Sequence, residues 1–100
     1  MYYIYILYSP TSDKYYVGYT TDPYRRVVEH NTKPFNTYTN KHRPWTLAAA
    51  FECSHEEKEA MRIELFIKKQ KSRKLIELML SDMPLTSPLA QLVRVQDVRD

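Results

Sequence analysis

Residues 2–8, YYIYILY, decide the fold together with the turn-forming residues 9–14, SPTSDK, and residues 15–19, YYVGY. Aromatic and β-branched residues without a breaker predict two strands. The Ser, Pro and Asp residues between them predict a turn, so the two strands form a β-hairpin. Because side chains alternate along a strand, Tyr3 and Tyr5 share one face of the first strand, and Tyr16 and Gly18 share one face of the second.

The remaining sequence predicts three helices and one more strand. Thr21 or Asp22 is expected to cap a helix from Pro23 to about Asn31. Residues 45–53 are expected to form a strand, and residues 54–57, with Ser54 as the cap, fit a capping box that starts the next helix. The further predicted ranges are a loop over 32–44, helices to about Gln70 and from Ser72 to about Ser81, and a tail over 83–100 that either packs in extended form or is partly disordered.

The order β-β-α-β-α-α predicts an α+β fold, a small three-stranded antiparallel sheet flanked by helices. The 100 residues allow one domain, expected over 1–82, with 83–100 as an unassigned C-terminal tail. The single glycine excludes glycine-rich phosphate loops and dinucleotide fingerprints, which need two or three glycines. The single cysteine excludes an intrachain disulfide and a cysteine zinc site, and favours a reducing, cytoplasmic location. No apolar run approaches the length of a membrane span.

Charge is distributed unevenly along the chain. Residues 62–75 hold six Lys or Arg and one acid, and residues 22–45 hold five Lys or Arg and two acids. Between them, residues 52–59 hold four acids and one lysine. Such runs indicate either an ordinary solvated surface or a face that binds phosphates, and composition does not separate these two interpretations.

Three groups of residues could carry chemistry. Asp22, Arg26 and His30 lie along one helix face, and an Arg25–Glu29 pair would leave Arg26 for a phosphate. The alternative is an Asp22–Arg26 ion pair with His30 on the surface. The tyrosines of the hairpin would need nearby positive charge to act as bases, and plain strand packing is the alternative.

The third group is a single carboxylate. Glu64 is the only acid in the otherwise mostly apolar stretch 60–67. A carboxylate of this kind suits Mg²⁺, which takes one or two carboxylates together with waters and phosphates. The alternative is an i,i+4 ion pair with Lys68.

Together these residues resemble the GIY-YIG nuclease superfamily, in particular its small bacterial stand-alone members. The resemblance covers residues 1 to about 80. It rests on Tyr3-Ile4-Tyr5, Tyr16-Val17-Gly18, Arg26 with the following Glu29-His30-Asn31, Tyr38-Thr39, Arg43-Pro44-Trp45, and the stretch from Ala60 through Glu64 and Lys68-Lys69 to Ile76. One departure is that Tyr3 stands where the family name has its first glycine.

The resemblance implies metal-dependent hydrolysis of nucleic-acid phosphodiesters. Glu64 would hold one Mg²⁺ or Mn²⁺ ion, Tyr5 or Tyr16 would orient or deprotonate the attacking water, and Arg26 would neutralise charge on the phosphate. His30 would hold a phosphate or assist a proton transfer. The implied DNA contacts are Gly18, where a phosphate or backbone could approach closely, Tyr38, Thr39, Lys41, Arg43, Lys68 and Lys69.

The function expected from the resemblance is a DNA endonuclease acting on branched or damaged structures, in repair or recombination. RNA stays open as a substrate, and so does a protein partner that supplies specificity. The first alternative is a nucleic-acid-binding module that needs a partner for activity. The second is a protein-interaction scaffold built on exposed tyrosines, which would not need Arg26 and Glu64 together.

Overall fold

The computed structural model describes residues 1–34 and 37–96, and it shows an α+β fold with helices packed on an antiparallel sheet. The elements in chain order are β1 (Tyr2–Ser9), β2 (Lys14–Thr20), α1 (Pro23–Thr32), α2 (Thr37–Lys41), β3 (Thr46–Ser54), α3 (Glu57–Gln70), α4 (Arg73–Leu80), a 3₁₀ turn (Leu89–Gln91) and β4 (Val93–Arg94).

The sheet has four strands in the order β2-β1-β3-β4 within the described residues, rather than the expected three. β1 is central and pairs antiparallel with both β2 and β3. Its register places Tyr5 opposite Gly18 on β2 and opposite Ala50 on β3. Tyr5 is therefore flanked on both neighbouring strands by a residue with no side chain or a small one.

The turn between β1 and β2 is fixed by Asp13, which adopts φ 53°. Its backbone N–H donates to the Ser9 carbonyl at 2.7 Å, and its carboxylate accepts from the Tyr8 hydroxyl at 2.8 Å. Arg73 at the start of α4 donates to the same carboxylate at 2.7 Å. The hairpin turn is thus tied to the helical layer.

One face of the sheet is purely apolar. The sequence alternation sends Ile4 and Ile6 of β1 to this face, and α3 and α4 cover it. Ile63 and Ile67 recur four residues apart on α3, which gives that helix one buried stripe. The buried members of this apolar cluster are Ile4, Ile6, Val17, Ala49, Phe51, Ile63, Ile67, Ile76, Met79, Leu89 and Leu92.

The opposite face is aromatic and is covered by α1. Tyr5 and Leu7 of β1 point to it and pack with Val27 of α1 and with Trp45 and Leu47 around the start of β3. We call these five residues the aromatic cluster. Tyr16 of β2 packs against its edge, where it is half-buried.

Two local expectations are corrected. Ser54 ends β3 and does not cap α3; Glu56 occupies the cap position without a side-chain cap bond, and the Ser54 hydroxyl accepts from the Glu56 N–H at 3.0 Å. The expected loop over 32–44 contains the short helix α2. Asp22 does cap α1, since its carboxylate accepts from the Arg25 N–H at 3.2 Å.

The C-terminal segment is a part of the folded unit, so residues 83–96 follow the packed alternative of the two that were expected for the tail. Leu89 and Leu92 are buried in the apolar cluster, and β4 pairs with Phe51 and Glu52 of β3. Arg94 donates to the Leu80 carbonyl at 2.9 Å, which ties β4 to the end of α4. Residues 97–100 of the expected tail lie outside the described residues.

Within the described ranges, the helices are all too short or too polar to cross a membrane.

Candidate active site

The candidate site lies where the aromatic cluster meets the edge strand β2. The middle of β1 contributes Tyr5, and the exposed edge of β2 contributes Tyr16. Helix α1 brings Arg26 and His30 from consecutive turns, as the i,i+4 spacing requires. Helix α3 buries Ile63 and Ile67 in the apolar cluster, and the intervening turn carries Glu64.

Tyr5 and His30 form the buried centre of the site. The Tyr5 hydroxyl and His30 Nε2 are 2.9 Å apart, and both side chains are only 1% exposed. The alternative that placed His30 on the surface is therefore wrong. Their hydrogen bond satisfies the two buried polar atoms that face each other, the Tyr5 hydroxyl and His30 Nε2.

Burial sets the protonation of this pair. Burial, together with the nearby positive charge of Arg26, lowers the pKa of His30 to about 4. Burial also raises the pKa of Tyr5 far above its usual value, and a hydrogen bond with Arg26 only partly opposes this rise. At neutral pH the pair is therefore a neutral imidazole and a protonated phenol.

Arg26 connects the pair to the surface. Its Nη1 donates to Glu29 Oε1 at 3.0 Å, and it also hydrogen-bonds with the Tyr5 hydroxyl. The expected Arg25–Glu29 pair is looser, at 3.9 Å, so Glu29 engages Arg26 rather than leaving it to other partners. Glu29 is thus a positioning residue that the sequence analysis missed; its i,i+3 spacing from Arg26 was the available signal.

Tyr16 is the accessible tyrosine. Its ring lies 4.9 Å from the His30 ring and 6.5 Å from the Tyr5 ring, centroid to centroid. Lys68 Nζ lies 5.1 Å from the centroid of the Tyr16 ring, a cation–π contact. Since Tyr16 is half-buried while Tyr5 is fully buried, a water molecule reaches Tyr16 more easily.

Glu64 presents a carboxylate that is linked to Tyr16 through Lys68, which contacts both side chains. Lys68 Nζ lies 3.6 Å from Glu64 Oε1, so the i,i+4 ion pair named as the alternative is present. The Glu64 side chain is 20% exposed, which leaves it open to a ligand from solvent. One exposed carboxylate fits Mg²⁺ or Mn²⁺ with water and substrate oxygens completing the shell. The described residues offer no cluster of three or more His, Cys, Asp or Glu ligands.

Gly18 makes room for Tyr5. A Cβ atom at Gly18 would lie 2.4 Å from Tyr5 Oη and 2.5 Å from Tyr5 Cζ. The space beside this glycine is therefore filled by the Tyr5 ring, and the expectation that a phosphate or a backbone approaches there is wrong. Gly18 acts on the site by letting the Tyr5 hydroxyl reach His30.

The expected DNA contacts divide into exposed and engaged side chains. Lys41, Lys68 and Lys69 are exposed, and so is the ring of Tyr38. The Tyr38 ring stacks on Trp45 at 6.0 Å and lies 6.3 Å from the Tyr16 ring, so it extends the site along the surface.

Two of the expected contacts are corrected. Thr39 is 0% exposed, and its carbonyl accepts from Trp45 Nε1 at 2.9 Å, so its side chain does not face solvent or a phosphate. Arg43 is bound to the end of α1: its Nε donates to the His30 carbonyl at 2.7 Å, and its Nη2 donates to the Lys33 carbonyl. These bonds give Arg43 a structural role, since they hold the last turn of α1.

Asn31 performs a related task that the sequence analysis did not assign. Its side-chain amide donates to the Trp45 carbonyl at 2.9 Å and accepts from the Trp45 N–H at 2.6 Å. This two-bond clamp joins the end of α1 to the start of β3 and so fixes the neighbouring His30. The position of Asn31 directly after His30 was the only signal in the sequence.

A comparison with known families matches residues 1–77 to the GIY-YIG catalytic domain. The chain belongs to the GIY-YIG family. It is also 41% identical over 68 residues to a UPF0213 protein of Halobacterium salinarum, an alignment that covers 68% of this chain and 86% of that protein. Membership in the GIY-YIG family assigns a nuclease-type function to the domain.

Proposed function

We propose that this GIY-YIG protein is a divalent-metal-dependent endonuclease that hydrolyses DNA phosphodiester bonds in repair or recombination. The observation that carries the proposal is the convergence of Tyr5, Tyr16, Arg26 and His30 from three separate elements at one partly open surface. Glu64 adds the carboxylate beside them. Packing alone does not require this combination, because the same sheet fills its other face with apolar side chains.

Glu64 holds the cation in this proposal. A bound Mg²⁺ or Mn²⁺ ion supplies Lewis-acid stabilisation of the negative charge that develops on the phosphate and the leaving oxygen. Glu64 must release Lys68 to take the ion, and at 3.6 Å this surface pair is weak enough to open. The released ammonium group is then available to the phosphate backbone.

Tyr16 orients the attacking water. Its half-exposed position allows the phenol oxygen to accept a hydrogen bond from a water at the surface. Tyr5 is protonated and buried, so it serves as the fixed partner of Arg26 and His30. The Tyr5 hydroxyl can pass its own proton to Nε2 of neutral His30 along their 2.9 Å hydrogen bond as it takes up an incoming proton in exchange.

Arg26 neutralises the phosphate. Its side chain is 32% exposed, and its planar, permanently charged guanidinium suits phosphate oxygens. Glu29 and Tyr5 hold the guanidinium in place before substrate arrives. Such preorganised charge is the form of stabilisation that contributes most to phosphoryl transfer.

The test is a cleavage assay with nicked, flapped, branched, duplex and single-stranded DNAs and a matched RNA, with Mg²⁺, with Mn²⁺ and with a chelator. Wild type should cleave at least one DNA only with metal. Glu64→Gln and Arg26→Lys should each lose at least about 100-fold in rate, while Glu56→Gln, at an exposed carboxylate before the start of α3, serves as the charge-matched control for Glu64→Gln. Equal cleavage by Glu64→Gln and wild type would overturn the proposal.

The Glu64–Lys68 ion pair favours a second candidate, a nucleic-acid-binding module that needs a partner for activity. In such a module, the ion pair with Lys68 keeps Glu64 from binding a metal ion until a partner displaces Lys68. Binding without cleavage, with log affinity falling against log salt at a slope of about −2 to −3, supports this module. Binding that does not respond to salt would exclude nucleic acid as the ligand.

A further inference from the structure

A second concave surface adjoins the candidate site. We call it the basic groove, and it is a cavity of about 230 Å³ between the start of β2, the end of α3 and the start of α4. Its lining includes Lys14, Tyr15, Lys68, Lys71, Arg73 and Ile76. No acidic side chain is among the residues that line it.

Two of the four cations in the basic groove are neutralised and two are not. Arg73 pairs with Asp13 at 2.7 Å and with Glu77 at 3.4 Å, and Lys68 pairs with Glu64. Lys14 and Lys71 form no ion pair with any part of the chain that the structure describes. The groove therefore keeps two positive charges for an external anion.

The floor of the basic groove is apolar. Val17, Ile67 and Ile76 line it together with the ring of Tyr15, on which the Arg73 guanidinium lies at 4.9 Å from the ring centroid. A floor of this kind suits a sugar or a base, and a free inorganic anion would gain nothing from it. The pairing of an apolar floor with two free lysines fits a nucleotide.

Lys68 makes the basic groove continuous with the candidate site. It lines the groove, and its ammonium group also lies 5.1 Å from the Tyr16 ring centroid and 3.6 Å from Glu64. A strand whose phosphate lies at Tyr16 and Glu64 can therefore extend past Lys68 into the groove. The next cations that it meets are Lys71 and Lys14.

The backbone at Lys71 gives a way to separate binding from folding. Lys71 ends α3 in the left-handed conformation, φ 46° and ψ 40°, where glycine is the preferred residue. A lysine at this position is less favourable than glycine for folding. Replacing it by glycine should therefore leave the fold intact or stabilise it while removing one charge from the groove.

We propose that the basic groove binds the nucleotide flanking the scissile phosphate of the substrate strand, with Lys14 and Lys71 contacting the backbone phosphate. This inference rests on the proposed function for the identity of the ligand as nucleic acid. It assigns to Lys14 and Lys71 a share of strand affinity, and none in the chemical step.

The experiment measures the binding of fluorescent 12-nucleotide single-stranded and duplex DNA by anisotropy, in chelator, from 50 to 200 mM salt. Lys14→Gln and Lys71→Gly should each weaken binding about three- to tenfold and reduce the salt slope by about 0.7 to 0.9. Lys58→Gln, with the same loss of charge outside the groove, should match wild type. The melting temperature of Lys71→Gly should equal or exceed that of wild type.

Equal affinity and an unchanged salt slope in both groove variants would overturn the inference. The inference would also be overturned if the basic groove bound an acidic peptide, such as hexaglutamate, while both variants kept wild-type affinity for DNA. Because these measurements contain no metal, they are independent of catalysis. Wild type that binds with the expected slopes but never cleaves would refute the nuclease proposal and still support the groove.

Discussion

The two faces of the sheet bury different kinds of side chain. The face under α3 and α4 is closed by aliphatic residues such as Ile4 and Ile63, each 0% exposed. The face under α1 buries Tyr5 and His30 as a hydrogen-bonded pair and leaves Tyr16 half-open beside them. Ile4 and Tyr5 are neighbours in the sequence of β1, and the alternation of side chains along the strand sends them to opposite faces.

Because of this difference, we expect the apolar face to contribute mainly to stability and the aromatic face under α1 to contribute mainly to chemistry. Aliphatic burial contributes roughly 25 cal/mol per Å² of apolar surface and places no chemical group in reach of a ligand. The aromatic face holds polar groups that must be paired when buried, and this pairing keeps them in fixed positions. Substitutions on the apolar face should therefore alter unfolding, while those at the rim of the aromatic face should alter activity.

The largest expected effect is on the apolar face. Ile63→Ala should lower the free energy of unfolding by about 2–5 kcal/mol, because it leaves a cavity beneath α3. Chemical denaturation measures the loss. Metal-dependent cleavage at a temperature where the variant is folded should remain near that of wild type. A variant of unchanged stability would refute the assignment of this face as the main core.

Glu64→Gln, one residue along α3, should behave in the opposite way. Its cleavage rate should fall at least about 100-fold, equivalent to about 2.7 kcal/mol, because an amide is a poor ligand for Mg²⁺. Its stability should change by less than about 0.5 kcal/mol, since only a solvent-accessible ion pair with Lys68 is lost. A large loss of stability would show that Glu64 is structural.

Gly18→Ala should affect both properties, because Gly18 lies in the sheet directly beneath the Tyr5 ring. The added Cβ would collide with Tyr5, and we expect a loss of about 1–3 kcal/mol in stability. Adding Tyr5→Leu should recover part of the stability and none of the activity, a coupling that a double-mutant cycle measures. Strictly additive losses would contradict the close contact.

The smallest expected effect is the pH dependence of His30. Its pKa is about 4 in the folded chain, below the ordinary value of 6.5, so the unfolded chain binds more protons between these values. Stability contributed by neutral His30 is therefore present above pH 6.5 and is lost as the pH falls toward 4. We expect a loss of about 1 kcal/mol between pH 6 and pH 5, measured by denaturation.

His30→Gln provides the control for this titration, because glutamine is polar but does not ionise. The loss between pH 6 and pH 5 should be smaller in this variant than in wild type by about one proton's contribution. An identical pH dependence in the two proteins would mean that His30 is not held neutral by burial.

The sequence predicted much of this division. The period-2 alternation placed Tyr3 and Tyr5 on one face of the first strand, and the helical spacing of Arg26 and His30 placed them on one side of α1. Both patterns involve residues that are close together in the sequence, so they can be recognised without knowledge of the fold. The resemblance to the GIY-YIG family was confirmed by the family match over residues 1–77.

What the sequence did not predict depends on contacts between distant residues. Gly18 appeared open to a phosphate because nothing in the sequence shows that the Tyr5 ring lies on it. Arg43 was predicted to contact phosphate because no local pattern reveals its bond to the His30 carbonyl, which lies 13 residues away in the sequence. The packing of residues 83–96 likewise depends on β3, which no local pattern in that segment indicates.

We propose that Glu64, at the rim of the face under α1, holds the catalytic cation. The most direct test adds Mn²⁺ and a phosphorothioate DNA strand to isotope-labelled protein and measures paramagnetic broadening of the amide signals. Broadening should centre on Glu64, Tyr16 and Lys68 in wild type and disappear in Glu64→Gln. Broadening centred elsewhere, or unchanged in Glu64→Gln, would contradict the proposal.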